Sequence, residues 1–492
     1  MSIITILLAL PLVGALLLLF LQKQPQLAKY VAIACTGAVF LGSLFMLAGY
    51  EIGAEGYQFL QDTEWFPAFG VSFAVGLDSL SLPLFMLTTL LCFLVVIYSW
   101  DVTERAPFYY GLLLVLETGV LGVFSALDFF LFYIFWEIVL IPMFFLIGIW
   151  GGERRSYASM KFLIYTHVAS LIMLLAIGAM FFKAADILGY YTFSIPEITA
   201  TGFDLSFEFL VFPALLFAFC VKLPVVPVHT WLPDAHVEAP TAASVLLAGV
   251  LLKMGGYGLI RVAYMLCPTA ARQYTWLVVL LALLSIVYGA FVAFKQDDLK
   301  KLIAYSSISH MGFVLIGIAS FDEIGIMGAV FQMVAHGLIS AMLFMGCGVI
   351  QHHAGTRLIS RLGGLYGKMP AAMTMLILAF FASMGIPGFM GFFAEFSVML
   401  GVFRVFGWVV LLVALGAVLA VGYYLWAFQR VAFGSLPANL AECHDIHWYE
   451  MAPMLVLLAL TIYFGLQPDG LVEYMSDSVS SLTNLSYWDI QA

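Results

Sequence analysis

Residues 221–236 read VKLPVVPVHTWLPDAH, and this stretch decides the fold. Lys222 lies about 14 residues into an apolar run that begins near residue 208, so a span across a bilayer would hold its charge near mid-depth. Pro224, Pro227 and Pro233 follow it. Proline removes a helix hydrogen bond and bares the carbonyl four residues back. Lipid tolerates such a break only where it is buried in protein or lines a wet cavity. A charge at mid-bilayer costs roughly 3 kcal/mol on insertion scales, so a lysine at a broken helix reads as part of an ion path. Snorkelling to the interface is the competing reading, and the depth of Lys222 argues against it.

Working outward, residues 384–396 read MGIPGFMGFFAEF, a second break, with Gly385, Pro387 and Gly388 ahead of Glu395. Apolar runs place spans at about 2–21, 29–49, 81–100, 108–126, 129–149, 160–182 and 208–228. Seven more fall at about 241–265, 273–293, 302–320, 326–350, 371–401, 407–429 and 450–467. Interrupted helices in matching halves of a chain point to the ion site of an inverted-repeat transporter. Here the breaks fall in the seventh and twelfth spans. The expectation is an all-α integral membrane protein of about 14 transmembrane helices. Spans 4–8 and 9–13 would be two inverted five-helix repeats, with helices 7 and 12 broken. The chain then divides into an N-terminal three-helix segment (1–107), a first repeat (108–265), a second repeat (266–430) and a C-terminal helix with an acidic tail (431–492).

Composition agrees. Of 492 residues 64% are apolar and 10% charged, against about one quarter charged in soluble proteins. Disorder and coiled coil need more charge, and a net charge of −10 excludes nucleic acid as a partner, since it repels phosphates. The six cysteines are scattered without a C-x-x-C, so neither a disulfide framework nor an iron–sulfur site is indicated. No G-x-G-x-x-G, phosphate loop or haem pattern occurs, so no metal and no cofactor is expected in this chain. Residues 1–20 have no preceding basic region and read as a retained span.

Orientation follows from Lys/Arg asymmetry between alternate connections. One set of connections collects 13 cations and the other 4, the remaining 2 being Lys222 and Lys253 inside spans. The acidic loop 51–78 and the acidic tail fall on the cation-poor side, which predicts both termini outside a prokaryotic plasma (inner) membrane.

Other groups are costly in lipid. Lys253 lies about 12 residues into its run, and His336 about ten. Glu137 and Glu395 join them. His310 reads equally as a structural histidine or a proton carrier. Glu117 reads equally as a relay member or a carboxylate hydrogen-bonded between helices.

These residues carry a resemblance. FYIFWEIVLIPMFF (132–145), VKLPVVPVHTWLPDAHVEAPTAASVLLAGVLLKMGGYGL (221–259), DLKKLIAYSSISHMGFVLIG (298–317) and IPGFMGFFAEF (386–396) resemble the antiporter-like M subunit of respiratory complex I, subunit 4 in mitochondria. The likeness spans about residues 70–430. It implies fourteen helices in the membrane arm of a proton-pumping NADH:quinone oxidoreductase. By motif position, it implies a relay of Glu137, Lys222, Lys253, His310, His336 and Glu395. Glu395 favours M, since the sister subunits L and N and several cation/proton antiporter subunits look similar but usually carry lysine there. KFLIYTHVAS (161–170) and QHHAGTRLISRLGGL (351–365) are at least as similar to archaeal coenzyme F420-dependent relatives as to bacterial ones, whereas PDAHVEAPTA (233–242) looks bacterial, which leaves the electron donor open between NADH, F420H2 and ferredoxin. The resemblance implies L- and N-type subunits, small membrane subunits and a peripheral redox arm as partners. Quinone, flavin and iron–sulfur clusters would sit in those partners only. A subunit of a stand-alone multisubunit Na+/H+ antiporter is the alternative, and a membrane scaffold without transport explains the buried charges worst.

The expected mechanism is a switchable Glu137–Lys222 ion pair, a wet central relay of Lys253, His310 and His336, and a terminal site at Glu395. Stretching the ion pair from about 4 to 8 Å at an effective dielectric near 20 loses roughly 2 kcal/mol of attraction. A proton moved against about 200 mV costs roughly 4.6 kcal/mol, so several coupled sites are needed.

Overall fold

The computed structural model describes residues 2–54 and 56–488. Glu55 of the acidic loop and residues 489–492 of the acidic tail lie outside the described residues.

Thirteen helices among the described residues are long and apolar enough to cross a membrane. Each of the fourteen expected spans overlaps a helix; the counts differ only at the second break. Expected span 371–401 divides into Pro370–Ser383 and Met390–Phe406. The second piece continues through a 3-10 turn, Gly407–Val409, into Val410–Ala432. Gly385 (φ 69°) and Gly388 (φ 97°) flank Pro387 in the gap, a conformation that residues with a Cβ adopt at a cost.

The first break has the expected form. Helix Leu205–Lys222 stops at Lys222, and helix resumes only at Trp231–Glu238. Freed backbone groups are taken up locally: the Leu223 amide donates to the Phe219 carbonyl at 2.8 Å, the Trp231 indole to the Val221 carbonyl at 2.9 Å. Ser285 Oγ accepts from the Val226 amide at 2.9 Å, as the rule on buried backbone polar groups requires.

Four features depart from the expected spans. The fifth span is itself interrupted, Phe129–Ile138 and Leu140–Trp150 meeting at Val139, two residues after Glu137. Pro142 has no amide hydrogen to give the Ile138 carbonyl. The eighth span, Thr241–Tyr264, contains two π-helical turns, Leu247–Leu251 and Leu259–Tyr264, either side of Lys253. The loop 51–78 is not wholly irregular: strands Gln58–Phe66 and Val71–Leu77 pair antiparallel. This hairpin is the one sheet among the described residues of an otherwise helical chain. Its turn runs through Gly70 (φ 62°), where a Cβ would collide with the Tyr191 carbonyl. Within the tail, Asp469–Trp488 is helical.

Burial follows polarity. The most apolar 18-residue stretches of Thr241–Tyr264 and Glu323–Ala354 are wholly buried and that of Leu299–Ala319 nearly so, whereas that of Met390–Ala432 is 17% buried. The three enclosed helices carry Lys253, His336 and His310, because lipid-facing positions penalise such groups most. Small residues let these helices approach, as in other membrane bundles. A Cβ on Gly337 would lie 2.9 Å from the Gly249 carbonyl oxygen, and one on Gly255 would lie 2.6 Å from the Leu223 amide nitrogen. The Lys253 helix is therefore pressed on one side against the His336 helix and on another against the break at Lys222.

Candidate functional site

The crossing at Gly249 and Gly337 has a polar consequence. Lys253 Nζ lies 2.8 Å from His336 Nδ1 and donates to the Ala248 carbonyl, five residues back in the π-helical turn. A π-turn shifts the backbone register by one residue, which puts that carbonyl within reach of the lysine. Lys253 is fully buried and His336 is 5% exposed.

From His336 the line continues. The His310 ring centre lies 5.7 Å from that of His336. His310 Nδ1 is 3.0 Å from Glu395 Oε1, and His310 Nε2 is 3.2 Å from Ser383 Oγ. Ser383 Oγ donates to Tyr424 Oη at 2.8 Å, and Tyr424 Oη to Ser306 Oγ at 2.8 Å. Glu395 sits in the second turn after the break, its Oε2 only 3.2 Å from where a Cβ on Gly385 would stand. These side chains border a small cavity with about 10 Å³ open to a water centre, about the size of one water. The cavity also presents Ser307, Gln332 and Ser340. Four of the residues expected as a relay, Lys253, His336, His310 and Glu395, thus form one connected line through the centre of the bundle.

The expected ion pair is absent from this structure. Lys222, 2% exposed, has no hydrogen-bond partner at Nζ, which stands 5.4 Å over the Trp136 ring. Cation–π attraction partly replaces a counter-ion there. Lys222 is the last residue of its helix, where the macrodipole favours a cation. Glu137 stays within electrostatic reach of Lys222, but its carboxylate is held elsewhere: His167 Nδ1 lies 3.1 Å from Oε2, and Ser170 Oγ donates to Oε1. The interruption at Val139 and helix Arg155–Leu188, which carries His167 and Ser170, turn Glu137 toward the rim, where its side chain is 25% exposed.

Glu117 is set apart. Neither carboxylate oxygen has a hydrogen-bond partner, and the ionisable groups beside it are Cys35 and Cys92. Pro224, Pro227 and Pro387 all lie in non-helical gaps, as expected of helix-breaking positions.

Sequence reasoning missed several groups. His236, the last residue of the 221–236 stretch, is fully buried against Phe344, with ring centres 4.4 Å apart and both nitrogens lacking hydrogen bonds. It lies within electrostatic reach of Lys253 and of Lys300, which is buried near the cation-rich face. Its signal was available, a histidine one turn past the break. His167, Ser383 and Tyr424 gave no comparable signal. Asp78 and Arg261 form a buried ion pair on the cation-poor side, with Tyr57 and Tyr257 accepting from the guanidinium. Burial pushes the Asp78 carboxyl up, but the guanidinium charge and hydrogen bonds from Arg261 and Ser81 outweigh it and hold the group below its ordinary value.

Comparison with known proteins identifies the lineage. The family described as NADH:quinone oxidoreductase/Mrp antiporter, TM, matches residues 126–420, which contain Glu137, Lys222 and the whole line from Lys253 to Glu395. F(420)H(2) dehydrogenase subunit M of Methanosarcina mazei is 40% identical over 500 aligned residues, covering 98% of each chain. NADH-quinone oxidoreductase subunit M of Rhodobacter capsulatus is 43% identical, covering 94% of this chain and 92% of the other. A chain of respiratory complex I from Thermus thermophilus superposes with a TM-score of 0.89 at 30% identity, covering 98% of this chain and 99% of that one. With a broken helix at Lys222, a second before Glu395 and relatives similar over nearly their full length, the chain belongs to the NADH:quinone oxidoreductase/Mrp antiporter family of membrane subunits.

Proposed function

We propose that this chain is a proton-translocating membrane-arm subunit of a complex I-type quinone oxidoreductase, driven by redox chemistry in other subunits. The observation that carries the reading is the connected line Lys253–His336–His310–Glu395, buried in the three innermost helices and the helix after the second break. Nothing but charge movement accounts well for four ionisable groups in contact at the centre of a bundle whose outer surface faces lipid.

Protons cross by exchange between neighbours in this line. Lys253 and His336 share one contact and His310 and Glu395 another, with Ser383, Tyr424 and Ser306 as hydroxyl partners that donate and accept in turn. Lys222 stands at the broken helix, its amine over the Trp136 ring, as the charge that Glu137 acts on through space. Its lack of a hydrogen-bonded partner corresponds to the open arrangement of the switch. His236 links the buried Lys300 to Lys253 and so to the cation-rich face, taken here as cytoplasmic. Both termini then lie outside the plasma membrane. The broken spans, the seventh and twelfth, are the fourth helices of two inverted five-helix repeats, spans 4–8 and 9–13.

Partners of L and N type, small membrane subunits and a peripheral arm supply the driving force. Quinone, flavin and iron–sulfur clusters belong to those partners, and this chain is an enzyme only as part of the translocase. Relatives named for NADH and for F420H2 are about equally similar, so the donor is either of these or ferredoxin. The family description also names Mrp antiporters, which keeps a stand-alone Na+/H+ antiporter as the second reading. Mass spectrometry of the intact detergent-solubilised assembly tests the proposal. Iron–sulfur and quinone-site subunits in the same particle support it, and antiporter subunits alone overturn it in favour of the second reading.

A further inference from the structure

Away from the relay, ionisable groups from three elements converge where helix Glu323–Ala354 ends. His352 and His353 occupy its last turn, Glu450 the first turn of helix Trp448–Leu466, and His447 the position just before that turn. Asp101, after helix Ser81–Tyr98, closes the group. His352 Nδ1 lies 3.0 Å from Glu450 Oε1, and His353 Nε2 lies 3.1 Å from Glu450 Oε2. One ligand atom from each of His352, His353 and Glu450 falls within 4.8 Å of the others. The His447 ring centre is 5.0 Å from that of His353, and Asp101 Oδ2 is 3.9 Å from His352 Nε2.

Helix dipoles alone favour imidazolium at one helix end and carboxylate at the other. Helix capping accounts for His447, whose side chain accepts from the Glu450 amide, but not for two imidazoles from another helix set against the two oxygens of one buried carboxylate. Neutral rings keep lone pairs, and two such rings with a carboxylate are the donor set of open zinc sites. The two ring nitrogens lie 3.0 and 3.1 Å from different oxygens of the one carboxylate, so an ion seated between the rings would meet both imidazoles and the Glu450 carboxylate, all three donors standing within 4.8 Å of one another. Calcium and magnesium want oxygen ligands and fit poorly. The carboxylate is also oriented from behind, since the His447 amide donates to Glu450 Oε2 at 2.9 Å, the kind of outer support that metal ligands receive. Glu450 and His353 side chains are 3% and 6% exposed, while that of His352 is 48% exposed. An ion would thus have a route from water and an open position for one.

We propose that His352, His353 and Glu450 bind a first-row divalent transition-metal ion, best matched by Zn2+, with water in the fourth position. The ion would clamp the end of the helix that carries Gln332 and His336 onto helix Trp448–Leu466. The site is independent of the proton relay.

The test uses the purified assembly, stripped with chelator and equilibrated with Zn2+ alone. Metal content, affinity by competition with a chromophoric chelator, and X-ray absorption at the zinc edge are the readouts. One ion per chain is expected, with a mixed nitrogen and oxygen shell. Loss of outer-shell support alone costs 10–100-fold in affinity, so H352Q and H353Q should each weaken binding by at least about tenfold. H444Q, at an exposed histidine outside the cluster, should not. His352 is half-exposed, so H352Q keeps the test decisive even where E450Q fails to fold. Absence of bound Zn2+ in the wild-type assembly, or wild-type affinity in H352Q or in H353Q, overturns the proposal.

Discussion

His310 Nδ1 meets Glu395 Oε1 at 3.0 Å, with the two side chains 5% and 6% exposed. This contact joins an innermost helix to the first turns after the second break, and it turns an ambiguous histidine into the neighbour of the terminal carboxylate.

Substitution of His310 separates a structural from a proton-carrying role. His310→Gln keeps a polar group beside Ser383 but cannot carry a proton between Glu395 and His336. Positioned acid–base groups contribute about 10²–10⁴-fold to proton transfer. Proton pumping in reconstituted vesicles should therefore fall by on the order of 10²-fold, with assembly intact by native gel. Wild-type pumping in His310→Gln would leave the histidine a structural role only.

Glu395 should tolerate change in proportion to the charge retained. Glu395→Gln should abolish pumping and Glu395→Asp should keep part of it, since the shorter carboxylate still titrates but draws back from His310. Gly385→Ala offers a check at the same place. Its Cβ would stand 3.2 Å from Glu395 Oε2 at φ 69°, so left-handed strain of about 1–2 kcal/mol and a displaced carboxylate should lower both stability and pumping. Pumping unaffected by Gln would move the terminal site elsewhere.

Much of this was readable before any coordinates. Lys222, Lys253, His336 and Glu395 stood out because a charge deep in an apolar run needs a physical reason, and the breaks stood out because proline and glycine act locally. What stayed hidden depends on register and packing. The π-turns beside Lys253 have no marker in LLKMGGYG, yet they bring the Ala248 carbonyl to its amine. Glu137 sits in a recognisable motif, but the turn at Val139 and the placing of His167 and Ser170 on another helix aim it at the rim. Pairing across helices 30 or more residues apart cannot be read from one-dimensional periodicity. The hairpin in loop 51–78 was missed because neither strand alternates cleanly: Gln58–Phe66 is interrupted by the polar QDTE stretch at 61–64, and Val71–Leu77 is a short, nearly continuous apolar run.

Glu137 and Lys222 should show coupling through space rather than through a contact. Glu137→Gln and Lys222→Ala should each depress pumping and quinone reduction together while the complex still assembles. In a double-mutant cycle on pumping rate, the two losses should be less than additive, as expected of groups acting on one step. His167→Gln should produce a milder form of the Glu137→Gln defect, because it removes one of the two groups holding that carboxylate. Strict additivity would show that the two residues serve separate steps.

Asp78→Asn tests the opposite side of the bundle, where the change acts on stability. The substitution leaves the Arg261 guanidinium buried without its carboxylate, and breaking a buried pair costs about 3–5 kcal/mol. The pH dependence has a definite sign. Because the folded-state carboxyl of Asp78 lies below its ordinary value of 3.8, its contribution is complete above that value and is lost as the pH falls through the lower, folded-state one. Wild-type protein in detergent should therefore lose thermal stability as the pH drops below about 4, where Asp78 is among the carboxylates that take up protons. In Asp78→Asn that share is already gone at neutral pH. The variant should unfold at lower temperature near neutrality, and its stability gap to wild type should narrow in acid. An equal gap across the whole range would show that the pair contributes nothing that protonation can remove.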